Sequence, residues 1–532
     1  MRTLMMFVFG LALAAPLQAG DFLVTGRFEY EDKAWNEQGW TGEDPMRPVR
    51  HADVSIWNQS TGKLLGRGRT DDDGEFAVLA SSKKPVTQLA ARVDAETRHR
   101  AKQERAFPRL RVLGLTGETY VAWSATHHDP PFEQPVDLGT TSIPKVYAGS
   151  RDGNPFNVLD MAVAGFELLV GPEVGVEKRG RSLTILWPNV SGSYALGRRA
   201  WIGSADGYDD SVILHEVGHL VHNVYSDSDN PGGLHFFGDS DQDPRLSFGE
   251  GWATAFAGLV LDGLGQPAWY VDSKGDAQVG DALLTMSLET SEPYFDAALG
   301  AGDEVAVACV LYDMLDRDSG GPGDAPDDDP FTAQSNAEGM HAWSAWWDVF
   351  TGPVAKAARS SLNNTWDGWV ALHGDGDALT PLADVFGSRQ IVFQNDAFEP
   401  NQTRKQARQI ELSQAGEWLT GLTLYAREAG SAKPGTGDRD WYSVALDAGS
   451  RVSIETRYPD GTFDAATQAD TWLALRSPSG KLRGKAEWGG SGRNAALLDI
   501  PVDESGLWTL LVRTRNKVHR YGRYELRVQR VN

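Results

Sequence analysis

Apolar and polar positions divide the chain into three stretches of different period. From residue 22 to about 145 they alternate, as in "FLVTGRFEYED" and "GEFAVLA", and turn clusters such as "TDDDG" separate the runs. Period-two alternation with frequent turns predicts an antiparallel β-sandwich. The same alternation returns from Asn395 to the end, for example in "GRYELRVQR", and predicts a second sandwich there.

The middle stretch follows a helical period. "NPFNVLDMAVAGFELLVG" begins with Asn154 as a helix cap and continues with apolar residues at helical spacing. "SLTILWP" and "RRAWIGS" are typical of strands, whereas "HAWSAWWDVF" and "NTWDGWVALHG" are typical of helices. We therefore expect a multidomain protein, in which an α+β domain at 146–394 lies between β-sandwiches at 20–145 and 395–532.

Length and charge agree with this division and narrow the function. A chain of 532 residues is too long for a single core. Its formal net charge of −23 disfavours nucleic acid and anionic membranes as partners, because their phosphates would be repelled. Hydrophobic residues at 41% and charged residues at 23% are typical of a soluble globular protein, which we expect to be a monomer.

The first residues indicate export. "MRTLMMFVFGLALAAPLQAG" has an early arginine, a short apolar run and a small residue at Ala19, which predicts a signal peptide at 1–19 and an extracellular or periplasmic protein. The run is shorter than the ~20 residues of a transmembrane helix. The sole cysteine, Cys309, excludes an internal disulfide, and its apolar surroundings favour a buried helical residue over a nucleophile.

The stretch "DDSVILHEVGHLVHN", 209–223, contains an HExxH motif. His215 and His219 are four residues apart, so a helix that is capped by Asp209 or Asp210 puts both on one face. That spacing lets two imidazoles reach one Zn²⁺ at about 2.0–2.1 Å. Glu216 projects beside them, close enough to accept a proton from a metal-bound water.

A third protein ligand is needed. The metzincin pattern is excluded, because it requires Gly and His where this chain has His222 and Tyr225. His222 sits about 10 Å along the helix axis from His215, so we expect it to support the site or lie on the surface. "RLSFGEGWATAFAGLVLDG", 245–263, predicts a second helix with Glu250 near its start, as a ligand or as a solvated acid of the first turn.

Both flanking regions resemble known modules. "GRF…PVRHADVSIW…GRGRTDDDGEFAV" resembles the carboxypeptidase regulatory-like, transthyretin-like module, which implies an accessory fold with Thr70, Asp71, Asp73 and Gly74 in a hairpin before the strand 75–79. The C-terminal stretch resembles the bacterial pre-peptidase C-terminal domain, which follows secreted proteases and is often removed in maturation. Its motifs are matched by Asp396, Glu399, Pro400 and Asn401, by Gly437, Asp438, Asp440, Trp441 and Tyr442, and by Asp470, Thr471, Leu473 and Leu475.

The second helix of the middle stretch resembles a family of enzymes. "GEGWATAFA" is similar to the third-ligand helix of fungalysin-type metallopeptidases, and "DEVAVACVLYDMLD" looks like another helix of that family. The resemblance implies a zincin-like domain of the gluzincin type, with His215, His219 and Glu250 holding one Zn²⁺ per chain. The family commonly has an aspartate four residues after the ligand glutamate. Here that residue is Thr254, so support for the first histidine falls to Thr254, Asp210 or Asp313.

These residues predict a secreted zinc metalloendopeptidase that acts on proteins or peptides. A metal-activated water attacks the carbonyl, Glu216 is the general base, and a further side chain stabilises the oxyanion. The candidate oxyanion donors are His235, Tyr270, Tyr312 and His341.

Three alternatives remain open at this point. The sandwiches could make this a non-catalytic extracellular protein that binds carbohydrate or a cell surface, or the zinc centre could hydrolyse a non-peptide bond. In addition, the alternating acids Asp239, Asp241 and Asp243 predict either a calcium loop or a solvated acidic turn.

Overall fold

The computed structural model has a mixed α+β, multidomain architecture. The described residues are 20–98, 106–131, 133–146, 153–172, 174–177, 180–239, 242–273, 279–280, 282–294, 300–316, 342–357, 360–373, 379–391, 393, 396–413, 417–424, 438–457, 459, 471–487, 495–514 and 522–531.

Two β-sheets form most of the N-terminal region. Its strands are β1 (Asp21–Glu31), β2 (Trp35–Asn36), β3 (Gly39–Trp40), β4 (Met46–Pro48), β5 (Asp53–Asn58), β6 (Lys63–Arg69), β7 (Glu75–Ser81), β8 (Gln88–Asp94), β9 (Val112–Leu113), β10 (Val121–Trp123), β11 (His127–His128) and β12 (Val136–Ile143). In one sheet β1 pairs with β12, β4 and β7, and the other has the order β10-β8-β5-β6 with β11 also on β8. The predicted alternation is confirmed in β7, where Phe76, Val78 and Ala80 are buried and the residues between them are exposed.

Two expectations for this region were wrong. The pairing is not wholly antiparallel, since β12 runs parallel to β1. The turn at 70–74 is not a hairpin, because β6 pairs with β5 whereas β7 pairs with β1 in the other sheet. The turn still has its own local structure: the Asp71 side chain accepts hydrogen bonds from the amides of Asp73 and Glu75, and Gly74 has a φ of +73°.

The central region combines helices with a small sheet. Its helices are α1 (Pro155–Val170), α2 (Asp210–Tyr225), α3 (Pro244–Gly263), α4 (Glu304–Asp313), α5 (Ala342–Val349), which continues into a π-helical turn (Phe350–Val354), α6 (Leu362–His373) and α7 (Leu379–Ser388). Its strands are β13 (Thr184–Asn189), β14 (Tyr194–Leu196), β15 (Arg199–Gly203), β16 (Trp269–Ser273) and β17 (Ala282–Ser287). The sheet order is β14-β15-β13-β9, so β9 completes this sheet by pairing parallel with β13.

Helix starts follow the capping residues in the sequence. Asn154, Asp243 and Asp303 accept hydrogen bonds from the first amides of α1, α3 and α4 respectively. Asp209 occupies the N-cap position of α2, but its carboxylate accepts a hydrogen bond from the Ser273 amide instead of capping the helix. The expected capping of α2 by an aspartate side chain is therefore replaced by a contact between α2 and β16.

Glycines allow α3 to lie close to α2 and to α4. A Cβ on Gly218 of α2 would lie 2.9 Å from Ala253 Cα, and a Cβ on Gly251 would lie 2.6 Å from Val307 Cγ1 of α4. The indole Nε1 of Trp252 donates a hydrogen bond of 3.1 Å to the Gly218 carbonyl. This close packing of α2 on α3 sets the distance between the HExxH motif and Glu250.

The C-terminal region has two sheets and a core of its own. Its strands are β18 (Arg408–Gln409), β19 (Leu419–Leu424), β20 (Arg439–Leu446), β21 (Arg451–Arg457), β22 (Thr471–Arg476), β23 (Leu482–Ala486), β24 (Ala496–Pro501), β25 (Gly506–Thr514) and β26 (Gly522–Val531), preceded by a 3-10 turn (Arg404–Gln406). The sheet orders are β18-β20-β25-β22-β23 and β19-β26-β21-β24, and the β18–β20 pair is parallel rather than antiparallel. The core contains Tyr442, Trp508 and Tyr524, whereas the N-terminal and central regions share one separate core.

Within the described residues, every helix is too short or too polar to cross a membrane. Cys309 is fully buried on α4, and burial raises the pKa of its thiol to about 12, as suits a core residue.

Candidate metal centre

The two HExxH histidines and the glutamate of α3 meet at one point. Nε2 of His215 and Nε2 of His219 are 3.1 Å apart, and Glu250 Oε2 lies 3.2 Å from the first and 3.1 Å from the second. All three side chains are at most 13% exposed. We call these residues the ligand trio, since α2 contributes two of them on one face and α3 brings the third alongside.

The trio has the donor chemistry and spacing of a zinc site. Tetrahedral zinc with ligands at about 2.0–2.2 Å separates the ligand atoms by about 3.3–3.5 Å, close to the spacing found here. Nδ1 of His215 lies 2.9 Å from the Thr254 hydroxyl. When Nδ1 donates a hydrogen bond to that hydroxyl, Nε2 carries a lone pair that points toward His219 and Glu250. A lone pair that faces a carboxylate oxygen is repelled unless a cation lies between them, so these residues fit a metal ion.

The pKa values of the three residues shift because they are buried and their charges act on one another. Burial, aided by the charge of His219, lowers the pKa of His215 to about 4. Burial also acts to lower the pKa of His219, but the Glu250 carboxylate outweighs it and raises that pKa to about 9. Burial opposes ionisation of Glu250 as well, yet the two histidines hold its pKa well below the usual range. One positive charge is therefore already favoured at this point.

Two neighbours orient the trio. Of the three residues proposed to support His215, Thr254, one turn after Glu250 on α3, has its hydroxyl at hydrogen-bond distance from the His215 ring. Asn230 Nδ2 donates a hydrogen bond of 2.7 Å to Glu250 Oε1, leaving Oε2 to the trio. Sequence reasoning missed Asn230, because it lies in the loop between the ligand helices and belongs to no recognisable motif.

Glu216 adjoins His215 on α2. It is 5% exposed, and within the described part of the chain its Oε2 is buried without a hydrogen-bond partner. Burial raises the pKa of Glu216 to about 8; the charge of His219 opposes this, and that of Glu250 adds to it. A buried carboxyl with a free oxygen next to a metal-type site can accept a proton from a small molecule there.

Two candidate oxyanion donors lie close to the trio. His235 Nδ1 is 2.8 Å from Glu304 Oε2, and its other nitrogen, Nε2, is 3.9 Å from Glu250 Oε2. The hydrogen bond to Glu304 raises the pKa of His235, despite partial burial, and so favours an N–H directed at the site. The half-buried ring of Tyr270, on β16, has its centroid 5.9 Å from that of His215.

Other predicted residues have different surroundings. Tyr312 is buried on α4, where burial and four acids that lie outside the trio raise its pKa well above 10. Asp210 and Asp313 are buried but make no hydrogen bond to His215, whose Nδ1 partner is Thr254. His341 lies outside the described residues.

His222 proves to be a core residue. It is 1% exposed and packs between Phe248 and Phe350, with ring centroids 5.5 and 5.1 Å away. Burial lowers its pKa to about 3, and neither ring nitrogen has a hydrogen-bond partner among residues that the structure describes. The expected supporting or surface role was therefore wrong, because the helix face that bears His222 turns into an aromatic cluster.

The acidic loop before α3 is only partly described. Asp243 caps α3 and pairs with the guanidinium of Arg245 at 2.7 Å, so its carboxylate is already engaged. Asp239 is exposed, and Asp241 lies outside the described residues. A calcium site in this loop stays a prediction.

In the part of the chain that the structure describes, three further groups of potential ligand atoms occur away from the trio. They are His51, Asp72 and Glu167; Asp206, Asp209 and Asp272; and Glu399, Asp438 and Asp440. In the first group, Arg50 lies 2.6 Å from Glu167 and opposes a cation. The other two consist of buried and half-buried acids without an imidazole. Of these groups, all found within the described residues, the ligand trio is the one that combines two imidazoles with a carboxylate.

Comparisons with known proteins add little to this geometry. No family model matches the chain, and no curated protein matches it. Among solved structures, the pre-peptidase C-terminal domain of collagenase from Bacillus anthracis is similar at 17% identity over 23% of this chain and 94% of that chain, with a TM-score of 0.16. A 9R-lipoxygenase from Cyanothece PCC8801 is similar at 15% identity over 30% of this chain and 25% of that chain, with a TM-score of 0.15. Both TM-scores are too low to carry an argument about fold or function.

Proposed function

We propose that this protein is a secreted, zinc-dependent peptidase that hydrolyses peptide bonds with Glu216 as its general base. The observation that carries the proposal is the convergence of His215, His219 and Glu250 at 3.1–3.2 Å beside the buried carboxyl of Glu216. The packing of α2 against β14, β15 and α3 supports a zincin-like central domain, and the apolar segment at 1–19 supports secretion.

His215, His219 and Glu250 would hold the metal, while Thr254 and Asn230 fix the orientation of two of them. When bound, Zn²⁺ supplies a positive charge that acidifies a coordinated water, polarises a carbonyl and favours the ionised form of nearby carboxyls. Three protein ligands leave room for a water and a substrate at the centre.

Glu216 moves the proton in this reaction. Its free Oε2 accepts a proton from the attacking water, whose oxygen forms a bond to the carbonyl carbon of the substrate. When the carbon–nitrogen bond breaks, the same carboxyl gives that proton to the leaving nitrogen, so that each cycle restores the carboxylate. Its burial keeps bulk water from competing for the proton.

His235 is the better placed oxyanion donor. Glu304 holds its Nδ1, so the ring presents Nε2–H toward the trio, where negative charge develops on the carbonyl oxygen. Tyr270 approaches from β16 on the side of His215 and is the second candidate. His235→Ala should lower kcat more than it raises KM, because the hydrogen bond is made to charge that appears only in the transition state.

The first test measures zinc in the purified full chain by plasma mass spectrometry. One zinc per chain in the wild type, largely lost in Glu250→Ala, is the expected result. If the wild type holds no zinc after careful repletion, the proposal of a zinc-dependent enzyme is wrong.

The second test addresses the chemistry. Glu216→Gln should keep its zinc and lose casein cleavage, as judged by mass spectrometry of the products. Glu177→Gln, an exposed glutamate of the central region, is the matched control and should remain active. Full activity in Glu216→Gln would end the assignment of the general base, and a zinc-loaded wild type that cleaves no peptide bond would point to a non-peptide substrate.

A further inference from the structure

The loop between β1 and β4 leaves the N-terminal sheet and lies on the central region. It contains the hairpin β2–β3, whose Trp35 and Trp40 are buried to 9% and 4% exposure. The Trp40 carbonyl accepts a hydrogen bond of 2.9 Å from the Gly280 amide, and a Cβ on Gly39 would lie 2.9 Å from the Ala282 nitrogen. The hairpin therefore contacts the β16–β17 hairpin, which carries Tyr270.

Trp35 also contacts the HExxH helix directly. Its indole Nε1 donates a hydrogen bond of 3.2 Å to Oδ2 of Asp210, the first residue of α2. The other oxygen of Asp210 accepts a hydrogen bond of 3.1 Å from Asn157 Nδ2 of α1. Asp210 precedes His215 by five residues, or about 7.5 Å along the helix axis. The start of the metal-binding helix is thus held by one group from the N-terminal region and one from α1.

A second buried link closes this network. The hydroxyl of Tyr30, on β1, lies 3.1 Å from Asn157 Oδ1 and 3.0 Å from Asp160 Oδ2, and Tyr30 is fully buried. Arg50 adds ion pairs of 2.6 Å to Asp160 and to Glu167 on α1. Buried hydrogen bonds between the N-terminal region and α1 fix the position of one relative to the other. A polar group that moved would lose its partner and would find no water to replace it.

We propose that Trp35 is a positioning residue for the ligand trio, and that the N-terminal region is a fixed part of the catalytic unit. Trp35 acts through Asp210, which anchors the start of α2 to the N-terminal region and, through Asn157, to α1. Because zinc sites tolerate ligand displacements of only about 0.2 Å, a small shift of α2 weakens the metal site. The inference rests on the proposed function for the identity of the metal. The positioning of α2 by Trp35 does not depend on whether the protein binds zinc.

The test compares two Trp→Phe variants of the full chain. Trp35→Phe keeps an aromatic ring and removes the N–H that holds Asp210. Trp57→Phe is the matched control, since its indole donates to Ser55 within the N-terminal region. In the metal-free chain, Trp35→Phe should accelerate amide hydrogen exchange in the first two turns of α2, and Trp57→Phe should not. In the loaded protein, Trp35→Phe should weaken zinc binding about tenfold by chelator competition, with no change in Trp57→Phe.

The two readouts separate failure of this inference from failure of the proposed function. Unchanged exchange in α2 of Trp35→Phe would overturn the positioning role, and so would a zinc affinity equal to that of the wild type. A wild type that binds no zinc would remove the proposed function, while hydrogen exchange would still decide the role of Trp35. If Trp35→Phe fails to fold, Tyr30→Phe, which cuts the link to Asn157, is expected to give the same change in exchange.

Discussion

Adding one methyl group to Gly218 is expected to weaken the metal site without touching a ligand. The new Cβ would lie 2.9 Å from Ala253 Cα and 3.1 Å from its carbonyl oxygen, both backbone atoms of α3. Carbon atoms in contact lie about 3.5–4.0 Å apart, so α2 and α3 must separate locally by at least about 0.6 Å. Gly218 adjoins His219, and Ala253 follows Glu250 by less than a turn. The separation therefore falls directly on the ligand trio.

Two effects of Gly218→Ala have opposite signs. Replacing a helical glycine with alanine stabilises the helix by about 1 kcal/mol, whereas overpacking a tight contact costs about 1–3 kcal/mol. In the metal-free chain the helices can relax apart, so the net change in unfolding free energy should be small. Metal binding requires the original separation. The overpacking cost should therefore appear in zinc affinity, as a loss of about 5- to 150-fold.

The assay is competition with a chromophoric chelator, paired with urea unfolding of the metal-free chain. Gly263→Ala is the matched control, because it lies at the exposed end of the same α3 and its Cβ would meet no atom within 4 Å. The control should bind zinc like the wild type. Wild-type affinity in Gly218→Ala would refute the claim that close packing of α2 on α3 sets the spacing of the ligands.

Three further predictions concern single contacts. Burial raises the pKa of Asp303 to about 7, so the stability that this acid contributes is fully present below about pH 4 and is lost as the pH rises through 7. Asp303→Asn keeps an oxygen to cap α4. In urea unfolding its free energy of unfolding should match that of the wild type at pH 4 and exceed it by up to about 4 kcal/mol at pH 8. The same dependence on pH in both proteins would contradict this. Thr254→Val should weaken zinc binding about 10- to 100-fold while Thr254→Ser retains it, and equal affinities would show that His215 needs no hydroxyl. Tyr524→Phe removes a buried hydrogen-bond donor to Asp440 and should destabilise the C-terminal region by about 1–3 kcal/mol in calorimetry. If the unfolding transition of the N-terminal and central regions changed instead, the separation of the two cores would be contradicted.

Much of the candidate site could be predicted from the sequence because it depends on local geometry. Two histidines four residues apart share a helix face in any α-helix, and the start of α1 follows from Asn154 as its side-chain cap. Alternation predicted the β-rich ends for the same reason, since a strand exposes its faces with period two. Parallel pairing of β1 with β12 could not be predicted, because strand partners distant in sequence are chosen by packing of the whole sheet.

By itself, the sequence determined the helix that bears His215, Glu216 and His219, and it placed Glu250 near the start of a second helix, as a ligand or as a solvated acid. Only the tertiary structure decided that Thr254 supports His215, that His222 faces aromatic rings, and that Trp35 of the N-terminal region holds the start of α2. The physical reason is the range of each interaction. A helical repeat acts over a few residues, whereas a hydrogen bond between residues 35 and 210 exists only after both regions have packed into one core.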